Sequence, residues 1–253
     1  MKRGFAVGLA VAIVAGSAYP TSALTALEMV RLAEEQMRGE TSHSEVEMTV
    51  ITPEWQRTMR LEVWEAKRDE KAFVRVLAPA KERGTASLKL GNEMWTYIPS
   101  IERSMKIPPS MMMQSWLGSD FTNDDMLKAS SLDDYEHALT DTTELDGQTA
   151  YVITSIPKPD APVVWGKIVY YARLGDYLPI RQEFYDEDGN IVRRMDLSEF
   201  KRMGGRVIPT VYTLVPLTEE TTGHQTTLTI HSAAFNVNIS ESIFTRANLE
   251  RTR

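Results

Sequence analysis

The sequence of 253 residues has no cysteine and only four histidines. Without cysteine the chain cannot form a disulfide, bind a metal through thiolates or carry the thioether-linked lipid of a bacterial lipoprotein. The histidines, His43, His137, His224 and His231, lack the spacing of paired metal ligands on a helix, which favours surface or turn positions. Stability must therefore come from the hydrophobic core alone, and the chain is long enough to build one.

Motifs of common catalytic sites are also missing from the sequence. There is no Gly-x-Ser-x-Gly elbow and no glycine-rich phosphate loop. Residues 186–190 begin like a calcium loop, but Leu197 stands where that loop needs a glutamate, so a hairpin turn fits better. The 35 acidic residues leave room for a carboxylate pair assembled in three dimensions. Because no pattern indicates catalysis, we expect a binding protein with no enzymatic activity and no cofactor.

Residues 1–23 have the pattern of a cleavable secretory signal. Lys2 and Arg3 precede a short apolar core, and small residues predict cleavage near Ala23. The core is shorter than the ~20 residues of a membrane span, which argues against a retained anchor. Without the signal, 26 basic residues stand against 35 acidic ones, a net charge of −9 that disfavours binding to nucleic acid. We expect residues 24–253 to form one domain in a bacterial periplasm.

Hydrophobic periodicity predicts one N-terminal helix and then a long series of strands. Apolar residues recur at helical spacing over residues 25–38, and Thr25 with Glu28 fits a capping box. After Gly39 apolar and polar residues alternate, as in half-buried strands. Strands separated by turn residues are predicted at 45–52, 58–63, 72–77, 86–90, 94–98, 103–107, 138–145, 150–156, 165–172, 179–186, 191–200, 207–215 and 225–233.

Many antiparallel strands with few helices predict a mainly β fold of the α+β type. The expected architecture is an incomplete antiparallel β-barrel, a half-barrel whose open apolar face needs a cover. Two segments are available for this role: the N-terminal helix and a central helical or loop lid, with a second helix near residues 111–128. A last helical turn is expected at residues 242–245.

The most unusual stretch is 93–126, where an alternating aromatic strand leads through prolines into a segment rich in methionine and tryptophan. Exposed apolar loops are costly, so this segment either packs permanently on its own domain or covers something that comes and goes. Methionine suits a movable cover because its flexible thioether side chain repacks around irregular partners. Two alternatives stay open: the methionines fill a core, or Met111, Met112 and Met113 bind Cu(I) through their thioethers.

Several stretches, in their order and spacing, resemble the outer-membrane lipoprotein-sorting family of LolA/LolB-like periplasmic carriers. The likeness covers nearly all of residues 24–253 and is greatest to a larger branch often associated with RND-type exporters. The matching stretches are residues 27–38, 45–52, 61–68, 79–85, the Trp-x-Tyr-x-Pro motif within 92–99, and 118–125.

This resemblance implies a hydrophobic half-barrel cavity that binds acyl chains of a lipoprotein or lipid and shuttles them towards the outer membrane. It implies a monomer whose partners are an inner-membrane exporter of the RND/MMPL or ABC type and an outer-membrane acceptor. An arginine after the strand tryptophan takes part in closing the lid of the better-known carriers, and Arg68 after Trp64 is similar in position. The alternative function is that of a periplasmic protein that binds an RND-type exporter and carries no cargo of its own.

The predicted ligand-binding residues form two groups besides Arg68. The expected concave wall consists of Val46, Met48, Leu61, Val63, Trp95 and Tyr97. The expected cover consists of Ile107, Met111, Met112, Met113, Trp116, Leu117 and Phe121.

Overall fold

The computed structural model describes residues 24–127, 132–161 and 163–251. The predicted signal sequence at residues 1–23 and Lys128 at the end of the predicted second helix lie outside the described residues. Within these three stretches, no helix is both long and apolar enough to cross a membrane.

The described residues form thirteen strands that belong to one antiparallel sheet. The strands lie in the order β6-β5-β4-β3-β2-β1-β13-β12-β11-β10-β9-β8-β7, so β6 and β7 are free edges and the sheet does not close. The predicted half-barrel is therefore confirmed. The strands are β1 (Thr41–Ile51), β2 (Gln56–Ala66), β3 (Lys71–Ala78), β4 (Ala86–Leu90), β5 (Glu93–Ile98), β6 (Arg103–Lys106), β7 (Tyr135–Leu145), β8 (Gln148–Pro157), β9 (Lys167–Arg173), β10 (Pro179–Tyr185), β11 (Ile191–Met203), β12 (Arg206–Pro216) and β13 (Gln225–Phe235).

The predicted N-terminal helix is α1 (Ala26–Arg38). Its capping box forms as expected: the Thr25 hydroxyl accepts from the Glu28 backbone N–H at 3.2 Å, and the Glu28 carboxylate accepts from the Thr25 N–H at 2.7 Å. The apolar stripe of α1 packs against Ile153 of β8 and Ala172 of β9. A helix too short to be stable alone is thus held by burying one face against the sheet.

The two faces of the sheet have separate cores. Val46, Leu61 and Val74 lie on what we call the inner face, together with α1. Trp64 and Phe73 lie on the outer face, which is covered by the C-terminal segment, a 3₁₀ turn at Glu241–Phe244 followed by α3 (Arg246–Leu249). The helical turn expected near the C-terminus is therefore present.

Trp95 and Tyr97 lie on the outer face, so their predicted place in the concave wall is wrong. Trp95 is opposite Leu88 in the β4–β5 pairing, and both pack with Phe244 of the C-terminal segment. Neighbouring residues of a strand point to opposite faces, and it is Met94 that joins the inner core. Aromatic side chains suit either face when both are covered, which is why residue type misled the prediction.

The central segment is not a second helix over most of its length. It contains a 3₁₀ turn at Pro109–Met111 and a short helix α2 (Asn123–Leu127), with turns between them. Proline lacks a backbone N–H and cannot continue a helical ladder, and Gly118 has a φ of +69°, which helices do not use. We call residues 107–127 the cover segment.

Candidate ligand cavity and its cover

The cover segment packs on the inner face over β1, β2, β3, β5 and β13. Its anchors are Ile107 and Trp116, which are 6% and 4% exposed. The structure brings ten of the predicted residues into this one cluster: Val46, Met48, Leu61, Val63, Ile107, Met111, Met112, Trp116, Leu117 and Phe121.

Hydrogen bonds fix the cover segment to three distant strands. The Trp116 indole N–H donates to the Ser87 hydroxyl of β4 at 3.1 Å. On β13, the Thr226 hydroxyl accepts from the Asp120 backbone N–H at 3.0 Å and donates to the Asp120 carboxylate at 2.6 Å. The Arg57 guanidinium of β2 donates to the Leu117 carbonyl. These bonds favour one position of the segment on the sheet because each joins a donor to an acceptor that are far apart in the chain.

A buried ion pair fastens the far end of the cover. Arg193 of β11 donates two hydrogen bonds to the Asp125 carboxylate of α2, at 2.7 and 2.6 Å. The guanidinium also lies 4.2 Å from the ring centre of Trp165 and 4.4 Å from that of Phe184. Burial acts to raise the pKa of Asp125. The hydrogen bonds and positive charge of Arg193, together with the hydrogen bonds from Thr122, outweigh this effect and hold the pKa below its ordinary value. The pair is therefore ionised at neutral pH.

Beside the cover, an unfilled cavity of about 460 Å³ lies between α1 and the inner face. This volume falls within the ~300–1,000 Å³ typical of small-ligand pockets. Desolvation by its wall raises the pKa of Tyr135 to about 12 and also raises that of Tyr170. The apolar part of the wall includes Val30, Ala33, Met37, Phe121, Met126, Ile153, Trp165, Tyr170, Ala172, Phe184, Met195 and Leu214.

A second cavity of about 580 Å³ lies between α1 and strands β2 to β4. The two cavities share the side chains Glu34, Arg38, Glu70, Lys89, Asp125, Met126 and Leu132, so they adjoin across these residues. The shared border is polar and charged, whereas the wall along β8 to β12 is largely apolar. The combined space therefore has a charged region at the shared border and an apolar region along β8 to β12.

Charged groups at this border are mostly paired with one another. Arg38 contacts Glu65 at 3.0 Å and Glu34 at 3.6 Å, and Lys67 contacts Glu34 at 3.3 Å. The charge of Glu65 raises the pKa of Arg38 in spite of the burial that acts against it. Lys89 stands out because burial lowers its pKa, with the charge of Arg38 acting in the same direction.

Only two of the predicted binding residues line these cavities: Phe121 the first and Val63 the second. The other members of the inner cluster are packed beneath or within the cover segment. Met113, predicted as part of the cover, lies in the cover segment but is 51% exposed and does not join this cluster.

Arg68 is not at the cover, and its predicted role in closing the lid is wrong. It lies in the β2–β3 turn with its side chain 82% exposed, in an ion pair with Glu40 at 3.3 Å. Its position after Trp64 carries it past the end of the strand and into solvent. The arginines that reach the cover segment are Arg57, which bonds to Leu117, and Arg193, which lies 68 residues after its partner Asp125 in the sequence.

Most of the cavity wall was missed because it comes from α1 and from β8 to β12, strands that have no distinctive motif. Alternation in β9 and β11 was a usable signal, since Tyr170 and Met195 fall on the apolar face of their strands.

The structure gives no support to a copper site at the methionine triplet. Met111 and Met112 pack against the inner core, whereas Met113 is exposed, so the triplet is divided between core and surface. In the described stretches of the chain, no group of three or more His, Asp or Glu side chains has an arrangement that could hold a metal ion.

A protein-family model described as "Uncharacterized protein" matches residues 68–251. The chain belongs to this family. No curated protein matches the sequence.

Solved structures similar to this fold include proteins from three different bacteria. A domain named as an outer membrane lipoprotein-sorting protein from Vibrio parahaemolyticus has a TM-score of 0.76 and 22% identity, over 89% of this chain and 98% of its own. A DUF1329 family protein from Desulfovibrio piger has a TM-score of 0.77 and 21% identity, over 87% of this chain and 95% of its own. A LolA superfamily protein from Nitrosomonas europaea has a TM-score of 0.74 and 22% identity, over 89% of this chain and all of its own. The expected LolA-like, lipoprotein-sorting type of fold is confirmed.

Proposed function

We propose that residues 24–253 form a single LolA-like carrier domain that binds acyl chains of a lipid or lipoprotein and performs no catalysis. The observation that carries the proposal is the cavity of about 460 Å³ between α1 and the inner face, with its apolar wall along β8 to β12. Such a space exposes apolar side chains that a flexible chain of methylenes would cover. The fold shared with a protein named for lipoprotein sorting supports the same reading.

The driving force is the removal of apolar surface from water. Each buried methylene contributes ~0.8 kcal/mol, so about ten of them contribute ~8 kcal/mol before the cost of ordering the ligand. A net gain of that size would give a dissociation constant of about 1 μM, and the cost of ordering the ligand makes the binding weaker than this. Binding of this strength is reversible, as a carrier requires.

The cover segment is proposed to move when a larger ligand enters. Its inner side is packed on Met48, Leu61 and Val74, and these side chains would become part of the cavity if the segment lifted. The ion pair of Arg193 with Asp125 must break for α2, which lies next to the existing cavity, to move. Lifting the rest of the segment also breaks the bonds of Trp116, Leu117 and Asp120 to the sheet. Gly118, with its positive φ, lies between the two anchored ends.

The proposed setting is the periplasm, reached through the signal sequence at residues 1–23 and its cleavage near Ala23. There the protein would act as a monomer that receives cargo from an inner-membrane exporter of the RND/MMPL or ABC type and passes it towards an outer-membrane acceptor. The net charge of −9 without the signal, from 26 basic and 35 acidic residues, suits a carrier that does not stay on an anionic membrane.

The test is a binding titration of purified residues 24–253 with a fluorescent fatty acid, alongside native mass spectrometry for co-purified lipid. Ala33→Phe fills the cavity from α1, where Ala33 is 4% exposed, and should weaken binding ~10-fold or more. Leu32→Phe on the outer side of the same helix, where Leu32 is 44% exposed, should leave binding unchanged. A wild-type protein with neither bound lipid nor uptake of the probe would refute the proposal.

A further inference from the structure

Lys89 enters the border between the two cavities from β4, the third strand from the β6 edge of the sheet. It lies on β4, where Leu88 and Leu90 pack with the outer core and Ser87 faces the cover segment. Alternation along the strand therefore places Lys89 on the inner face, and its side chain lines both cavities.

Lys89 differs from the other basic residues that line these cavities. Each of those has a carboxylate within 4.0 Å: Arg31, Arg38, Lys67, Lys71 and Arg193. Over residues 24–127, 132–161 and 163–251, by contrast, the Lys89 side chain has no hydrogen bond or ion pair, although its backbone belongs to the β3–β4–β5 ladder. An ammonium group has three donors and no acceptor, and no side chain among the described residues accepts from them.

The carboxylates near Lys89 do not compensate for the missing ion-pair partner of its ammonium group. Burial lowers the pKa of Lys89 and so does the charge of Arg38, and the opposing effects of Glu70 and Glu65 are smaller. Glu65 is already bonded to Arg38 at 3.0 Å and to the Ser42 hydroxyl at 3.2 Å. Glu70 lines both cavities but makes no ion pair with Lys89 among the described residues. The ammonium is thus partly desolvated without the partner that usually accompanies such burial.

We propose that Lys89 binds the oxyanion, carboxylate or phosphate, of an amphiphile whose acyl chain lies along the apolar wall of β8 to β12. An oxyanion accepts charge-assisted hydrogen bonds from an ammonium and restores the charge balance that burial disturbs. The side chain of Asn92, at the same end of the first cavity, supplies a further polar group. This inference rests on the proposed carrier function and adds the class of head group and its place in the cavity.

The test compares three ligands of the same chain length: lauric acid, lauryl phosphate and lauryl alcohol. The wild-type protein should bind at least one of the two anions ~10-fold more tightly than the alcohol. Lys89→Met should abolish this preference and leave the affinity for the alcohol within about twofold, because the apolar wall is unchanged. Lys89→Arg keeps the charge and should keep the preference. Lys201→Met, at an exposed strand position, is the matched control for loss of a positive charge.

The outcomes separate this inference from the carrier function. Binding of all three ligands without preference, or a preference that survives in Lys89→Met, overturns the role of Lys89 but leaves the carrier function standing. A wild-type protein that binds none of the three refutes the carrier function itself. The order of the two anions identifies the source, a free fatty acid if laurate is preferred and a phosphorylated lipid if lauryl phosphate is.

Discussion

Methionine in place of Arg193 removes the cation that ties the cover segment to β11. The Arg193 and Asp125 side chains are only 9% and 17% exposed, so the substitution leaves a buried carboxylate without its main partner. Methionine keeps much of the apolar stem that packs beside Trp165 and Phe184. The change therefore tests the charge and its hydrogen bonds more than the packing.

The expected cost follows from the burial of the pair. Removing one partner of a buried ion pair costs ~3–5 kcal/mol. The Thr122 backbone N–H and hydroxyl still donate to Asp125, at 2.8 and 2.9 Å, and they moderate the loss. We expect ~3 kcal/mol, which makes opening of the cover ~100-fold more frequent, since each 1.4 kcal/mol is about tenfold.

Hydrogen exchange of backbone amides is the suitable assay because it reports local opening. The Trp116 N–H bonded to Phe121 and the Asp124 N–H bonded to Met112 are inside the cover segment and should exchange much faster in the variant. Amides of the β12–β13 pairing should change much less. The matched control is Arg194→Met at the residue next to Arg193. It removes a partly exposed ion pair with Asp196 and should cost less than ~1 kcal/mol.

Two results would contradict this reasoning. Exchange in the cover segment of Arg193→Met that stays within a few-fold of the wild type would mean that the ion pair does not hold the cover. Faster exchange by an equal factor throughout the sheet would mean that the pair supports the whole fold and that the cover has no opening of its own.

Two further predictions concern the cover segment. Met112→Ser should lower the free energy of unfolding, measured by urea titration, by ~1–2 kcal/mol. Met113→Ser, at the exposed neighbouring position, should change it by less than ~0.5 kcal/mol. Equal costs for the two variants would contradict the assignment of Met112 to the core and Met113 to the surface. Because the pKa of Asp125 is below its ordinary value of ~3.9, its stabilisation is complete at neutral pH and is lost as pH falls through the lower folded value. Asp125→Asn should remove this part of the acid dependence of hydrogen exchange in the cover, and an unchanged acid profile would refute the assignment.

The local elements follow from the sequence because they depend on neighbouring residues. The capping box of Thr25 and Glu28 places the start of α1 to the residue, and alternation predicts the strands to within a few residues at most ends. Strand β4 matches its predicted bounds at 86–90. The prolines at 108 and 109 were read correctly as an interruption, but the segment after them was expected to be more helical than it is.

The tertiary structure alone decided which residues meet. Alternation shows that a strand has two faces, but the segment that covers each face decides which of them lines the cavity. The C-terminal segment covers the face on which Trp95 lies. Contacts such as Arg193 with Asp125 join positions 68 residues apart, and no local pattern specifies them. The sequence by itself determined an open, covered half-barrel without cysteine chemistry. The curvature of the sheet decided that the cavity lies along β8 to β12, with Lys89 at its polar border, because it brings together side chains from strands distant in the chain.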